Sequence, residues 1–252
     1  GVLTLDDRLV HAGTTLHVVG LDGEELLQRV RGAVGLHRPH FHLTQALATE
    51  LATTMVGLGA SHGVRTSALI TDMDQPLGLA VGNAVEVAES IDILRGGGPR
   101  DVVQVTLALA RRMVELVGCE VDPAEVLADG RAMDVWNRMI AAQGGDLSVP
   151  LRTATEIESF AATEDGFIQR IDARKVGEAA WRLGAGRARK EDSVSATAGI
   201  LLRRVAGDHV RRGEPILDLH LDEVDRLPAA LDALEGAIQL GDTPPEERIL
   251  VH

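Results

Sequence analysis

Apolar positions recur along this chain with two different periods, and the change from one to the other organises it. Leu47, Leu51, Thr54, Met55 and Leu58 fall at helical spacing behind Thr44, a residue type that caps helix starts. Gly59 to Gly63 ends that helix, and "VRTSALIT" after it reads as a buried strand. A Pro-Leu-Gly turn leads into a second helix in "ITDMDQPLGLAVGNAVEVAESIDILRGGGPRD", which stops at Gly96, Gly97, Gly98 and Pro99. Asp101 then leads a strongly periodic helix through Val102, Val105, Leu107, Leu109, Met113, Leu116 and Val117. "DPAEVLADG", with Pro123 near its first turn, and "RAMDVWNRMIAAQGG" predict two more.

Gly144, Gly145 and Pro150 mark a boundary. Beyond it "TATEIESFAAT" and "GFIQRIDA" alternate as strands do, and "RKVGEAAWRLGAG" is a short helix ending in glycines. "AGILLRRVAGDHVRRGEPILDLHLD" predicts two strands around a Gly-Asp turn, "EVDRLPAALDALEGAIQLG" an amphipathic helix broken or restarted at Pro228, and "ERILVH" a last strand. The N-terminal stretch is less regular: "LDGEELLQRVRGAV" predicts a helix with Leu26, Leu27, Val30 and Val34 on one side, and "GLHRPHFH" a loop. The pattern gives an α/β fold class: an irregular segment at 1–43, a layered sheet-and-helix part over 44–152, and a C-terminal α/β module over 153–252.

Composition sharpens this reading. Hydrophobic residues make up 45% of the 252 positions but aromatic ones only 2%, so the core must be Leu, Val, Ala and Ile. The formal net charge of −13 argues against nucleic acid as a partner. No apolar run is long enough to cross a bilayer and no signal-peptide pattern opens the sequence, so the expectation is a cytoplasmic protein without a membrane partner. The single cysteine, Cys119, rules out an internal disulfide and reads as a packed thiol. Lysine occurs only at 175 and 190.

Several stretches invite chemical readings. His37, His40 and His42 lack a fourth ligand at zinc-site spacing and read as a polar loop. Arg187, Arg189 and Lys190 in "GAGRARK" read as a solvated basic loop after a glycine stop. "AGDHVRRGEPILDLHLDE" echoes the barrel-sandwich hairpin of biotinyl and lipoyl carriers, but a carrier lysine would stand near Asp222 and Glu223, and none does. Glu86 and Glu89, at i and i+3 after the Pro76–Gly78 turn, are either a solvated helix face or part of a site.

Two long stretches, "ALITDMDQPLGLAVGNAVEVAESIDILRGGGPRD" and "DGFIQRIDARKVGEAAWRLGAGRARKEDSVSATAGILL", followed by "AGDHVRRGEPI", resemble the pyrimidine nucleoside phosphorylase and thymidine phosphorylase family. The resemblance covers about Thr44 to His252 in the family's order. It implies phosphorolysis: a pyrimidine nucleoside and inorganic phosphate, the co-substrate, give free base and pentose 1-phosphate. It also implies a structural monovalent cation such as potassium, held by the backbone carbonyls of Leu77 and Ala80 and the carboxylate of Glu89. A family homodimer is implied as well.

The sequence departs from the family's pattern upstream. The Lys-His-Ser-Thr-Gly-Gly phosphate loop and the Arg, Ser and Lys that grip the base are absent, and no lysine precedes Lys175. "DRLVHAGTTLH" resembles the second phosphate loop, Gly-His-Thr-Gly-Gly-Thr, at His11, Gly13, Thr15 and Leu16, with Ala12 and Thr14 departing from it. On that resemblance Thr15 is a phosphate ligand; a chance match in a degenerate segment is the alternative. No catalytic residue is assigned. The expectation is a truncated or internally deleted phosphorylase with impaired activity. A non-catalytic remnant or interaction module of the same fold is the competing reading.

Overall fold

The computed structural model describes residues 2–4, 14–20, 45–187, 189, 191 and 193–251. The expected helix at "LDGEELLQRVRGAV" and the histidine loop lie outside the described residues. Contacts divide the chain into two compact, discontinuous units: Gly1–Asp74 with Asp101–Val126 and Arg248–His252, and Gln75–Arg100 with Leu127–Glu247.

In the first unit β1 (Val2–Thr4), β2 (Thr14–Gly20) and β3 (Thr66–Asp72) form an antiparallel sheet with β2 in the middle. Two pieces of the segment expected to be irregular are therefore strands; "TTLHVVG" is rich in the β-branched residues that favour a pleated surface. Helix α1 (Gln45–Ser61) packs Ala52 and Met55 against Leu51, Leu58, Ala68 and Ile70. Its inner face is Ala48, Ala52, Met55 and Gly59, not the expected stripe, for Leu47 is exposed. Thr54 is exposed too, donating its hydroxyl to the Glu50 carbonyl one turn back, at 2.9 Å. Small residues inward let the helix lie close to the sheet.

Helix α2 (Ala84–Leu94) belongs to the second unit; α3 (Arg100–Val117) and α4 (Pro123–Ala128) follow in sequence. Of the expected apolar stripe on α3, Val105 is buried whereas Met113 and Val117 are exposed. The expected C-terminal strand is reduced to a bridge between Val251 and Thr71. Leu250 accepts the Asp72 amide at 3.0 Å, and Arg248 forks onto the Asp72 carboxylate and carbonyl.

The second unit contains α5 (Arg131–Ala142) and two antiparallel sheets. One has the order β4-β7-β9-β5, from β4 (Ala80–Gly82), β5 (Glu156–Ala161), β7 (Gly199–Leu202) and β9 (Pro215–Leu221). The other has the order β10-β6-β8, from β6 (Gly166–Ile171), β8 (His209–Val210) and β10 (Ile238–Gly241). Neither closes into a barrel. The expected hairpin is split between the sheets, since β7 pairs with β9 while β8 pairs with β6. Helix α6 (Ala173–Ala180), capped by the Asp172 carboxylate on the Lys175 amide, and α7 (Leu227–Leu234) pack with them. The amphipathic helix expected to run through "AIQLG" ends earlier, because Gly236 takes a left-handed φ of 64° and the chain leaves as β10.

The core is aliphatic, as composition required. Leu217, Leu219 and Leu221 on β9 are fully buried against Ile168, Ile171, Val176, Leu183 and Leu234. Asp218, between two of those leucines, is only 3% exposed. A lone buried carboxylate would cost several kcal/mol, on the order of the penalty for burying an unpaired ion. Arg203 offsets it, donating Nε to Oδ2 at 2.6 Å while its arm reaches solvent. Replacing Leu219 by Ala is expected to cost about 2–5 kcal/mol of unfolding free energy, read from urea denaturation; a loss under about 1 kcal/mol would contradict this core.

Candidate functional site

The Pro76–Gly78 turn delivers the chain into β4, the edge of its sheet. Residue pairs in an antiparallel ladder alternate between those that exchange hydrogen bonds and those that do not. The Leu202 amide donates to the Leu79 carbonyl at 2.7 Å, and the Asn83 amide to the Ala198 carbonyl at 3.3 Å. These bonds flank the pairs Ala80–Leu201 and Gly82–Gly199. Both pairs are therefore non-hydrogen-bonded, and the backbone groups of Ala80 and Gly82 point away from β7.

Helix α2 brings one carboxylate to that outward edge and a second to the residue that leads into the strand. Glu86 Oε1 accepts from the Gly82 amide at 2.6 Å, and Glu89 Oε1 accepts from the Leu79 amide at 2.8 Å. The Ala80 carbonyl leaves β4 on the same edge as the Gly82 amide, in a residue that is 5% exposed. Carbonyl and carboxylate oxygens are hard donors. Gly78, with φ 78°, gives the turn between Leu77 and β4 a left-handed step. In chemical type, the Leu77 and Ala80 carbonyls and the Glu89 carboxylate suit a hard monovalent cation. Among the described residues no group of three or more His, Cys, Asp or Glu could hold a metal, so any ion site here must draw on carbonyls.

Burial of the Glu86 carboxylate pushes its pKa above the ordinary glutamate value, and the Gly82 amide pulls part of the way back. Glu86 also lines an open groove of ≈ 690 Å³ whose walls include Ser90, Trp136, Asp146, Val149 and Arg152.

The junction between β4 and α2 is tight. Gly82 has φ 145°, and a Cβ there would sit 2.6 Å from the Ala198 carbonyl oxygen. A Cβ on Gly199, opposite, would meet Val85 Cγ2 at 2.6 Å. Asn83 follows at the helix start, yet its side chain makes no capping bond. Its Nδ2 donates instead to the Ala185 carbonyl at 2.9 Å and the Ser195 carbonyl at 2.7 Å. Ser195 in turn donates its hydroxyl to Asp222 Oδ2 at 2.8 Å, where Thr197 donates as well. These hydroxyls, Thr197 first, and the Thr155 amide hold the Asp222 carboxyl below its usual range.

Comparison with known proteins bears directly on this arrangement. Residues 167–241 match the family model described as the pyrimidine nucleoside phosphorylase C-terminal domain. Thymidine phosphorylase of Mycobacterium tuberculosis (strain ATCC 25618 / H37Rv) is 50% identical over 205 residues, 81% of this chain and 48% of that protein. Pyrimidine-nucleoside phosphorylase of Bacillus subtilis (strain 168) is 41% identical over 71% of this chain and 44% of that protein. That of Geobacillus stearothermophilus is 37% identical over 81% and 50%. The C-terminal part of this chain belongs to the pyrimidine nucleoside phosphorylase family. The chain spans about half the length of the curated relatives it matches.

Within this phosphorylase-family chain the expected site residues fall in different units. Leu77, Ala80 and Glu89 lie in the second, where the Leu79–Glu89 bond brings turn, strand and helix together. Thr15 lies in the first, inside β2 opposite Thr71; its neighbours His11 and Gly13 lie outside the described residues. Cys119, expected to be packed, is exposed. Among the described residues no helix is long and apolar enough to cross a membrane. Sequence reasoning passed over Asn83 and His220. The latter sits on β9 with Nε2 buried and no hydrogen-bond partner among the described residues, and burial lowers its pKa.

Two outcomes follow for the strand–helix junction. Gly82→Ala is expected to destabilise the chain by about 2 kcal/mol or more, through backbone strain and the clash with Ala198, measured by denaturant unfolding. Because the Glu86 pKa is raised in the folded state, its contribution is full below the ordinary value of 4.5 and is lost as pH rises through the folded value. Glu86→Gln keeps an acceptor for Gly82 and carries no charge. Its melting temperature relative to the parent should rise as pH is raised above 4.5 and level off once Glu86 is ionised in the parent; a gap independent of pH would refute the assignment.

Proposed function

We propose that this chain carries the cation-binding corner of a pyrimidine nucleoside phosphorylase, a pentosyltransferase that cleaves the N-glycosidic bond of thymidine and related nucleosides with inorganic phosphate. The observations that support it most are the Glu86 bond to the Gly82 amide on the outward edge of β4 and the Glu89 bond to the Leu79 amide where the strand begins. The residues that would hold a potassium-like ion are Leu77 and Ala80 through their carbonyls and Glu89 through its carboxylate. Bound there, the ion would neutralise the converging oxygens and brace the turn, a structural service rather than a step in bond cleavage. Thr15 is the candidate phosphate ligand, and the homodimer of the family is the expected assembly.

Phosphorolysis needs cations and backbone donors at both ends of the breaking bond, since phosphate arrives charged and the base leaves charged. The sequence contains no Lys-His-Ser-Thr-Gly-Gly loop and no lysine before Lys175 to supply them. The 252-residue chain assayed alone with thymidine or uridine and phosphate should therefore show no turnover, or turnover reduced at least about a thousandfold, the scale of losing electrostatic contacts to a transition state. Turnover close to that of the Mycobacterium tuberculosis relative would overturn this expectation.

A further inference from the structure

The structure assigns to Asn83 the positioning of Glu86 and Glu89, which together clasp β4 and the residue before it. An asparagine at a helix start ordinarily turns its side chain inward to cap the first amides. Asn83 does not: its carboxamide reaches outward to the carbonyls of Ala185 and Ser195, residues more than a hundred positions away. Its own amide is taken by Ala198, and its carbonyl accepts from Glu86 and Val87, starting the helix. The Ala84 amide donates to Ala196 at 2.9 Å. One residue is thereby fixed from three directions, with its side chain, amide and carbonyl each committed.

The consequence lies one turn further along α2. Glu86 and Glu89 reach their amides at 2.6 and 2.8 Å only if the helix starts at the right height and rotation against β4. A helix advances about 1.5 Å and turns about 100° per residue, so a small shift at its start swings both carboxylates off the edge. Val85 packs against Gly199 from the same first turn, but among the residues at the start of α2 Asn83 alone reaches by its side chain to the Ala185 and Ser195 carbonyls. Ser195, whose carbonyl accepts from Asn83 Nδ2, is itself anchored to Asp222 through its hydroxyl, so the frame holding α2 is built from the C-terminal strands and their loops.

The inference rests on the clasp reading only in its cation arm, and two measurements separate the two. Hydrogen exchange at the Leu79 and Gly82 amides is compared in Asn83→Ala, in the milder Asn83→Ser, and in a core control, Leu234→Ala, at temperatures set equally far below each melting point. Both Asn83 variants should exchange these two amides at least tenfold faster than the control, an order of magnitude expected when a supporting hydrogen bond is lost. Potassium titrated against each variant, with lithium as reference and melting temperature as readout, should give an apparent affinity about tenfold weaker for the Asn83 variants and unchanged for the control. Protection of Leu79 and Gly82 equal to the control would overturn the inference. If the parent chain gains nothing from potassium, the cation reading falls, and the exchange comparison decides the role of Asn83 by itself.

Discussion

A strand at the edge of a sheet leaves backbone donors and acceptors facing outward, and a buried edge must find partners for them. In this chain the edge is β4, three residues long, and its partner is a helix rather than another strand. Two glutamates spaced i, i+3 on α2 take the amides on either side of Ala80. The same local solution that satisfies the strand gathers two carboxylates beside it, and the proposed function starts from that pair.

Polar groups in the rest of the second unit obey the same rule with different means. Asp218 lies within a row of leucines on a central strand, and Arg203 neutralises it from the rim. Asp222, one turn of chain further on, is instead satisfied by neutral donors: two hydroxyls and an amide. The first is a charge pair at the margin of an aliphatic core, and the second is a hub that gathers three chain segments. Through Ser195 and Asn83 that hub connects to the start of α2, so the clasp inherits its placement from the C-terminal strands.

Much of this was legible in the sequence because it depends on periodicity. Helices α1 to α6 and the strands β3, β5, β6 and β9 stand where alternation and helical spacing predicted them. The errors have local causes. Leu47 and Thr54 were expected on the inner face of α1, but alanines and Gly59 take that face, since close approach to a sheet rewards small side chains over large ones. The run "AIQLG" continues an apolar helical pattern, yet Gly236 turns the chain into a strand. The Leu77, Ala80 and Glu89 set came from family resemblance, because backbone carbonyls leave no mark in a sequence. Asn83 gave a misleading signal: its residue type fits a helix cap, whereas its side-chain partners stand more than a hundred residues downstream, beyond any local pattern.

That distance has a consequence for how the chain acquires its structure. Among the described residues the only ladder β4 makes is with β7, and Ala80 pairs with Leu201. During synthesis the clasp segment leaves the ribosome well before its strand partner exists, by a delay on the order of ten seconds at bacterial translation speeds. Throughout that interval Leu79, Ala80 and Val81 form an unpaired apolar stretch, and α2 has nothing to fix its start. The turn and helix can form early, but the corner they are built for closes only after the C-terminal strands arrive. Long-range pairing of this kind is slow to nucleate because loop closure must precede any gain from contact. On this topology the corner cannot become native before β7 has been made.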